Sequence, residues 1–438
     1  MLKVLKFGGT SMADANQFAK VKSIVESDPS RRVVVVSAAG KRFSEDHKIT
    51  DLLLLCHAHV KYGVSSDGVF DMIAKRYIEI RNDCNLNTDI ESELDKIAEK
   101  LKTGISKDEL VSRGEYLSAR LMADYLGFDF VDSARWVRFK LDGTIDTEKS
   151  YELLRELADG RKVVIPGFYG TMPNGAIRIM SRGGSDITGA LAAAALEADV
   201  YENWTDVSGI LMADPRIVEN PEPIKYITYE ELRELSHMGA QVLHEGTIFP
   251  VRQKNIPLNI RNTNAPEDAG SLIMDNFPDD ENDKQFITGI TGKKNFSIVT
   301  VAKSGMSSEV GFLRKVLEVF EKYGVSVEYV PSGIDSVSVV VASKAVSDCL
   351  YAIMGDLQKT VKPDSINVTE DIAIVAVVGR KMAYKPGMSG RLFAALGESK
   401  INIRMISQSC EELNIIAGVS NEDFEKAVRV LYSSFVKK

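Results

Sequence analysis

Four β-branched residues in succession, Val33-Val34-Val35-Val36, set the first limit on what this chain can fold into. A half-exposed strand alternates apolar and polar positions. An unbroken run belongs in a strand covered on both faces, as in a parallel sheet between layers of helices. The rest of the first 260 or so residues fits that frame. Residues 2–7 form a short apolar run closed by Gly8-Gly9, 13–26 reads as a helix, and 46–126 carries apolar residues at helical spacing. Strand-like pieces return at 128–131, 162–165 and 258–260. Strands separated by helices predict an α/β fold with a mainly parallel sheet sandwiched by helices.

The polar stretch 264–283 breaks the alternation with Pro266, Gly270, Pro278, Asp279, Asp280, Glu281 and Asp283. It predicts a boundary that ends a first domain, 1–280. The remainder repeats weakly. Residues 325–330 resemble 401–406, an offset of 401 − 325 = 76 residues. Each segment follows a glycine and an amphipathic helix (311–323; 387–399) and precedes a strand (337–342; 413–419) and a second helix (345–359; 422–435). That order predicts two ferredoxin-like βαββαβ modules, 285–365 and 366–438, with interleaving open. The stripe Val310, Leu313, Leu317 and Phe320 is expected to be core packing of the first amphipathic helix.

Composition excludes several classes. The net charge is 54 − 62 = −8, so the broad basic face that nucleic-acid binding needs is not expected. No apolar run approaches the ~20 residues that cross a bilayer, and Lys3 and Lys6 interrupt any secretory leader, so neither membrane span nor leader is expected. Cys56, Cys84, Cys349 and Cys410 are far apart and form no CxxC pair, which predicts reduced thiols in a cytoplasmic protein. His57-Ala58-His59 lacks the spacing of a helical metal pair, and His244-Glu245 lacks the second histidine of an HExxH site.

Three segments carry chemistry. In Lys6-Phe7-Gly8-Gly9-Thr10-Ser11 a buried strand ends in a lysine, two glycines and a hydroxyl pair. Paired glycines admit an anion close to the backbone, and a following helix start adds partial positive charge. The GxxxxGK[ST] spacing of a P-loop is absent, and a plain strand-to-helix turn capped by serine remains the alternative. Ser181-Arg182-Gly183-Gly184-Ser185-Asp186 again sets two glycines before a helix, with Arg182 offering a planar fork to a carboxylate or phosphate. Asp186 suits Lys6 or a magnesium ion, while Ser185 or Asp186 serves equally as a helix cap. The third segment is Asn203-Trp204-Thr205-Asp206-Val207-Ser208-Gly209 with Asp214-Pro215-Arg216, a strand end suited to nucleotide contact at the carboxyl edge of a parallel sheet.

Together the three segments resemble aspartate kinase, in the amino-acid kinase superfamily. The order extends through Ser37-Ala38-Ala39-Gly40, Thr50-Asp51, Ser112-Arg113-Gly114-Glu115 and Gly167-Phe168, and the duplicated tail resembles tandem ACT domains, so the likeness spans nearly the whole chain. The resemblance implies phosphorylation of the L-aspartate β-carboxylate by ATP with Mg²⁺, the entry step to lysine, threonine and methionine biosynthesis. It implies that Lys6 and Asp186 are catalytic, Asp186 also being a possible metal contact. Ser37, Thr50, Glu115, Phe168, Arg182 and Ser185 would bind substrate, Arg182 at the α-carboxylate and Glu115 at the α-ammonium. Gly8, Gly9, Ser11, Gly183, Gly184, Thr205, Asp206 and Arg216 would bind nucleotide. Met306, Val325, Val327 and Glu328 would bind a regulatory amino acid, lysine being favoured over threonine because Glu328 is acidic. A homodimer or homotetramer through the ACT modules is implied too. A carboxylate acceptor is already ionised at neutral pH, so no general base is required, and no His or Cys stands in the three segments. Kinases of glutamate or acetylglutamate, and an amino-acid sensor without catalysis, are the alternatives. The chain departs from the family pattern at Ser181 (glycine in relatives), Leu211 (tyrosine), Gln241 (lysine) and Glu245 (proline). The missing lysine at 241 predicts weaker ATP binding unless another cation such as Lys254 compensates.

Overall fold

The structure is a computed structural model that describes residues 1–181, 183–239, 245–275, 277, 286–380, 382, 386–408 and 413–436, the side chains of 245 and 246 excepted. Arg182, Gln241, His244, Cys410 and the 278–283 part of the expected boundary 264–283 lie outside the described residues. The chain divides into two compact units. The first comprises Met1–Ile210, Pro223–Tyr229 and Val242–Phe277, and the second Leu211–Glu222, Glu230–Gln241 and Pro278–Lys438.

The first unit is built on an eight-stranded sheet. From one edge its order is Tyr226–Ile227, Ser271–Ile273, Leu258–Asn262, Val200–Thr205, Lys3–Phe7, Arg31–Val36, Val163–Pro166, Asp129–Phe130. All neighbours are parallel except Leu258–Asn262 against Ser271–Ile273. Val33, Val34, Val35 and Val36 are all buried. Two layers account for this. Val34 and Val36, with Leu5, Phe7 and Trp204, join one apolar cluster with helix Ala15–Glu26 and the four helices between Ile49 and Leu126. Residues of opposite parity, among them Lys6 and Asn203, face the alanine-rich helix Gly184–Ala195, which packs on Lys3–Phe7, Arg31–Val36 and Val200–Thr205. The chain enters the sheet at Lys3–Phe7, moves outward to one side through Arg31–Val36 and Val163–Pro166, then continues on the other side with Val200–Thr205 and Leu258–Asn262. Lys3–Phe7 and Val200–Thr205 therefore flank a topological switch point, where their carboxyl ends open a crevice.

The second unit holds a five-stranded antiparallel sheet in the order Ser336–Ala342, Gly289–Ala302, Ser365–Val378, Asn414–Ser420, Met405–Gln408. Its two central strands have 14 residues each and pair along their length, from Gly289 opposite Val378 to Ala302 opposite Ser365. The register shifts near Lys293–Ile298. There Asn295 and, on the facing strand, Asp371 both take positive φ (69° and 58°), a conformation costly for residues other than glycine. Asn421 fastens the kink: its side chain exchanges hydrogen bonds with Asn295, and its N–H donates to the Asp371 carbonyl at 2.8 Å.

Two local expectations fail here. Residues 325–330 make an isolated bridge, Tyr329 to Val340, instead of a ladder strand. Helix Phe312–Lys322 buries Phe312, Val316, Val319 and Phe320, whereas Val310, Leu313 and Leu317 are exposed. The helix carries two apolar stripes, and only the one through 312, 316 and 319 faces the sheet; Phe320 alone of the expected stripe is core. Residues 230–237, which in sequence precede the end of the first domain, are tied into the second unit. Glu231 pairs with Arg380 at 3.1 Å, and His237 Nε2 lies 3.3 Å from Glu328 Oε2. Among the described residues, no helix is long and apolar enough to cross a membrane.

Candidate active site

The register of the central strands places Lys6 directly beside Asn203, so both side chains leave the sheet on the same face. Above them lies the first turn of helix Gly184–Ala195. Lys6 Nζ meets Asp186 Oδ1 at 2.6 Å, the two side chains being 9% and 19% exposed. Asn203 Nδ2 donates to that same oxygen at 3.0 Å. Two residues earlier on the strand, the Tyr201 hydroxyl donates to the Asp186 carbonyl at 3.0 Å. Burial, with the nearby Asp186 charge, keeps the Tyr201 phenol well above its ordinary pKa, so it remains a donor at any working pH.

Glycines allow the approach. Gly183 caps the helix in the left-handed conformation, φ 76°. A Cβ on Gly184 would run into the Phe168 ring, and one on Gly167 would come within 2.6 Å of Ser185 Cβ. Phe168 itself sits at φ 82°, an outlier for an aromatic residue. It is held there by Thr188 Oγ1, which accepts from its N–H at 2.9 Å, and by Met180 N–H, which donates to its carbonyl at 2.7 Å. Gly189, mid-helix, faces Tyr201: a methyl there would lie 2.7 Å from ring carbons. Replacing a mid-helix glycine with alanine ordinarily stabilises by about 1 kcal/mol. Here Gly189→Ala is expected to destabilise by about 1–3 kcal/mol through overpacking, seen as a lower urea midpoint; an unchanged or higher midpoint would contradict the packing.

The glycine turn after Lys3–Phe7 continues into a 3-10 turn, Gly9–Met12. The Gly8 N–H is taken by the Trp204 carbonyl at 3.0 Å, so this glycine fastens the turn to the neighbouring strand. The donors the turn can offer an anion are the first N–H groups of Gly9–Met12, which no carbonyl within the turn can serve. The Ser11 hydroxyl is 1% exposed and paired with Thr263 Oγ1 at 2.8 Å, which makes it a strut between two strand ends. Against the turn packs the loop Ser37–Gly40. Gly40 N–H donates to Gly9 O at 2.8 Å, and a Cβ on Gly40 would fall 2.7 Å from that oxygen. Arg76, buried on Asp46, donates to the Gly40 carbonyl at 3.0 Å.

Behind this loop stands Glu115. It is 5% exposed, and its Oε2 has no hydrogen-bond partner. Burial pushes its carboxyl up to about 8, with a backbone hydrogen bond from Ala38 opposing. A buried, half-satisfied carboxylate is costly without a ligand, so the group suits an incoming cation. Ser37 and Thr50 lie at the same strand-end loop and the following helix start, both half-buried. Thr205 and Asp206 close Val200–Thr205 at the carboxyl edge, Asp206 exposed. Arg216 belongs to the second unit, where Asp214 clamps its guanidinium at 2.6 Å. Lys254 pairs with Glu197, just beyond the far end of helix Gly184–Ala195, at 3.6 Å. A 12-residue helix spans ~18 Å, so Lys254 is no substitute for a cation at the glycine end.

The structure thus gathers Lys6, Gly9, Ser37, Glu115, Phe168, Ser185, Asp186, Thr205 and Asp206 around strand ends of one sheet edge. Sequence reading named Asn203 in the third segment but gave it no role of its own, and assigned none to Tyr201, Thr188 or Arg76. The available signal was parity: Tyr201 and Asn203 share the strand face of Lys6.

The fold and this switch point place the chain in a known class: the model of the amino acid kinase family matches residues 1–262. A model of the ACT domain matches residues 375–435. Aspartokinase 3 of Bacillus subtilis (strain 168) is 34% identical over 454 aligned positions, which cover 99% of this chain and 98% of that protein. Among solved structures, the aspartate kinase of Clostridium acetobutylicum is 48% identical, with 99% of each chain covered and a TM-score of 0.91. E. coli aspartokinase III, solved with aspartate and ADP in its R-state, is 27% identical over 100% of both chains with a TM-score of 0.75. Its T-state structure, with lysine and aspartate, gives the same TM-score at 28% identity. The chain belongs to the aspartate kinase family.

Proposed function

We infer that this enzyme transfers the terminal phosphoryl group of ATP to the β-carboxylate of L-aspartate, giving 4-phospho-L-aspartate and ADP. The observation that carries this reading is the Lys6–Asp186 pair at the switch point, between two glycine turns. A carboxylate oxygen attacks phosphorus while the bond to the β,γ-bridging oxygen breaks and its electron pair leaves with ADP. Both reactants are anions, so catalysis rests on alignment and charge neutralisation. Lys6 supplies the cation at the moving group, with the Gly9 turn beside it. Asp186 orients Lys6. Glu115 receives the substrate ammonium, and Ser37, Thr50, Phe168 and Ser185 shape the acceptor pocket. Arg182 is the residue assigned to the α-carboxylate. Gly8, Gly183 and Gly184 keep the nucleotide side open to backbone approach, Ser11 supports it from below, and Thr205 and Asp206 complete the nucleotide contacts of this unit.

Among the described residues no group of three or more His, Cys, Asp or Glu could hold a metal by itself. Asp186 is the carboxylate that would face a magnesium ion brought in with the nucleotide. When bound it neutralises phosphate charge.

A cationic amino acid, lysine, is the proposed effector at the first ACT-like module, 285–365, which shares its long strands with 366–438. Val325 and Val327 line a cleft of about 900 Å³ together with Arg314, Leu317, Glu318 and Glu321; Arg314 holds Glu318 at 2.9 Å, so Glu321 is the carboxylate that suits a cation. Glu328 is engaged by His237, and Met306 is packed in the module core, so these two would act from the cleft's margin. The exposed Val310, Leu313 and Leu317 and the edge strand Ser336–Ala342 support a homodimer or homotetramer built through these modules. Free Cys56, Cys84 and Cys349 suit a reduced, cytoplasmic setting.

A coupled ADP-release assay with aspartate, glutamate and acetylglutamate tests the acceptor. Turnover is expected with aspartate and to fall on adding lysine. Preference for either other acid would replace the assignment, and calorimetry showing no lysine binding at millimolar concentration would remove the effector.

A further inference from the structure

We propose that Asn203 is a positioning residue for phosphoryl transfer: its buried amide fixes the Asp186 carboxylate, and through it the Lys6 ammonium. The proposal rests on reading Lys6 and Asp186 as the transfer pair. Three observations carry it. Asn203 is 3% exposed and is Lys6's direct neighbour across the parallel ladder. Its Nδ2 shares Asp186 Oδ1 with Lys6 Nζ, at 3.0 and 2.6 Å. Tyr201, on the same strand face, holds the Asp186 backbone carbonyl and packs against Gly189, one helical turn further on.

One strand thus grips Asp186 at its main chain and at its side chain. The carboxylate oxygen only accepts, so the amide must present its nitrogen. The arrangement has a chemical logic. An ammonium alone would pull the carboxylate wherever it moved, because a single ion pair leaves the Asp186 torsions free. A second donor on the same oxygen, delivered from a rigid strand, pins that oxygen while adding no charge. Lys6 then has a fixed partner to leave and return to as negative charge builds on the transferring group. Oδ2 takes part in neither contact, which keeps it available to a cation on the nucleotide side. A carboxylate at position 203 would repel Asp186, and an aliphatic residue would leave Oδ1 with Lys6 alone. Arg31, Glu202 and Trp204 are bound to one another on neighbouring positions, Arg31 to Glu202 at 3.0 Å and Trp204 Nε1 to Glu202 at 2.9 Å, and they hold the other face of the strand in place.

The test is a double-mutant cycle on the full-length enzyme with Asn203→Leu, Asp186→Ala and the pair. Leucine keeps the branched outline of asparagine but is bulkier, so a thermal melt of each variant accompanies the kinetics to show that the fold is kept. Losing a hydrogen bond to a charged group predicts a fall in kcat of about 10- to 100-fold for Asn203→Leu, with the aspartate KM changed less than about twofold. In the Asp186→Ala background the same substitution should change kcat by less than about twofold, because the group it positions is gone. A readout independent of turnover is the ligand-free crystal structure of Asn203→Leu, in which the Asp186 side chain should leave its present rotamer or occupy more than one. An Asp186 that stays in place, a kcat within twofold of the parent, or equal losses in both backgrounds would each overturn the proposal. Absence of aspartate turnover in the parent enzyme would instead overturn the proposed function, and the crystallographic comparison would still decide what Asn203 does.

Discussion

Lys6→Met is expected to lower kcat by about three orders of magnitude or more, equivalent to ~4 kcal/mol of transition-state stabilisation. The side chain ends between the two glycine turns, paired with Asp186. Methionine keeps the buried stem and removes only the charge. Folding should suffer far less than catalysis, because Asp186 retains the Asn203 amide and is partly open to water. Steady-state kinetics beside a thermal melt separates the two effects. Turnover within tenfold of the parent would strip Lys6 of its assigned role.

The second large effect concerns Glu115 and pH. Burial pushes its carboxyl up to about 8 in the ligand-free protein, from an ordinary value near 4.5. At pH 7 the group is therefore largely protonated, yet an ammonium ligand needs it ionised. Binding of aspartate must release a proton, so kcat/KM for aspartate should climb as pH rises towards 8 and level off above it. Glu115→Gln should raise the aspartate KM by about 10- to 100-fold, the scale of a charged hydrogen bond, and flatten that climb. Stability runs the other way. A carboxyl whose folded pKa is raised favours the folded state when protonated. Its contribution is complete below about 4.5 and is lost as pH rises through about 8. The ligand-free parent should lose stability across that window more steeply than Glu115→Gln. A parent profile that is flat with pH, or one that the variant reproduces, would show that Glu115 does not receive the ammonium.

Much of the first unit was legible because its signals are local. The valine run, the glycine pairs and the helical spacing of 46–126 each report on their own neighbourhood, and the observed elements fall within a few residues of them. The convergence of Lys6 with Asp186 was legible only through family resemblance, since no local pattern brings residues 180 positions apart together. Asn203 and Tyr201 escaped because their meaning depends on register: the same two residues one position along would face the other layer. Ser11 and Gly8 looked like anion ligands from their types, but the fold spends their polar groups on Thr263 and Trp204. In the second unit the helix Phe312–Lys322 offered two apolar stripes, and periodicity cannot say which of two stripes a sheet will cover. Assignment of 230–237 to the second unit rests on contacts such as Glu231 with Arg380, 149 positions apart.

The paired strands Gly289–Ala302 and Ser365–Val378 bear on how this gene can be cut. Ending the protein before residue 365 would strip one side of Gly289–Ala302 and uncover its buried valines at 299 and 301. A fragment starting at 365 would carry Ile372–Val378, a wholly buried row, with Asn414–Ser420 on one side and the partner on its other side missing. Neither half is a portable cassette. Natural fission, fusion or laboratory shuffling that retains this sheet must inherit 289–420 as one uninterrupted stretch.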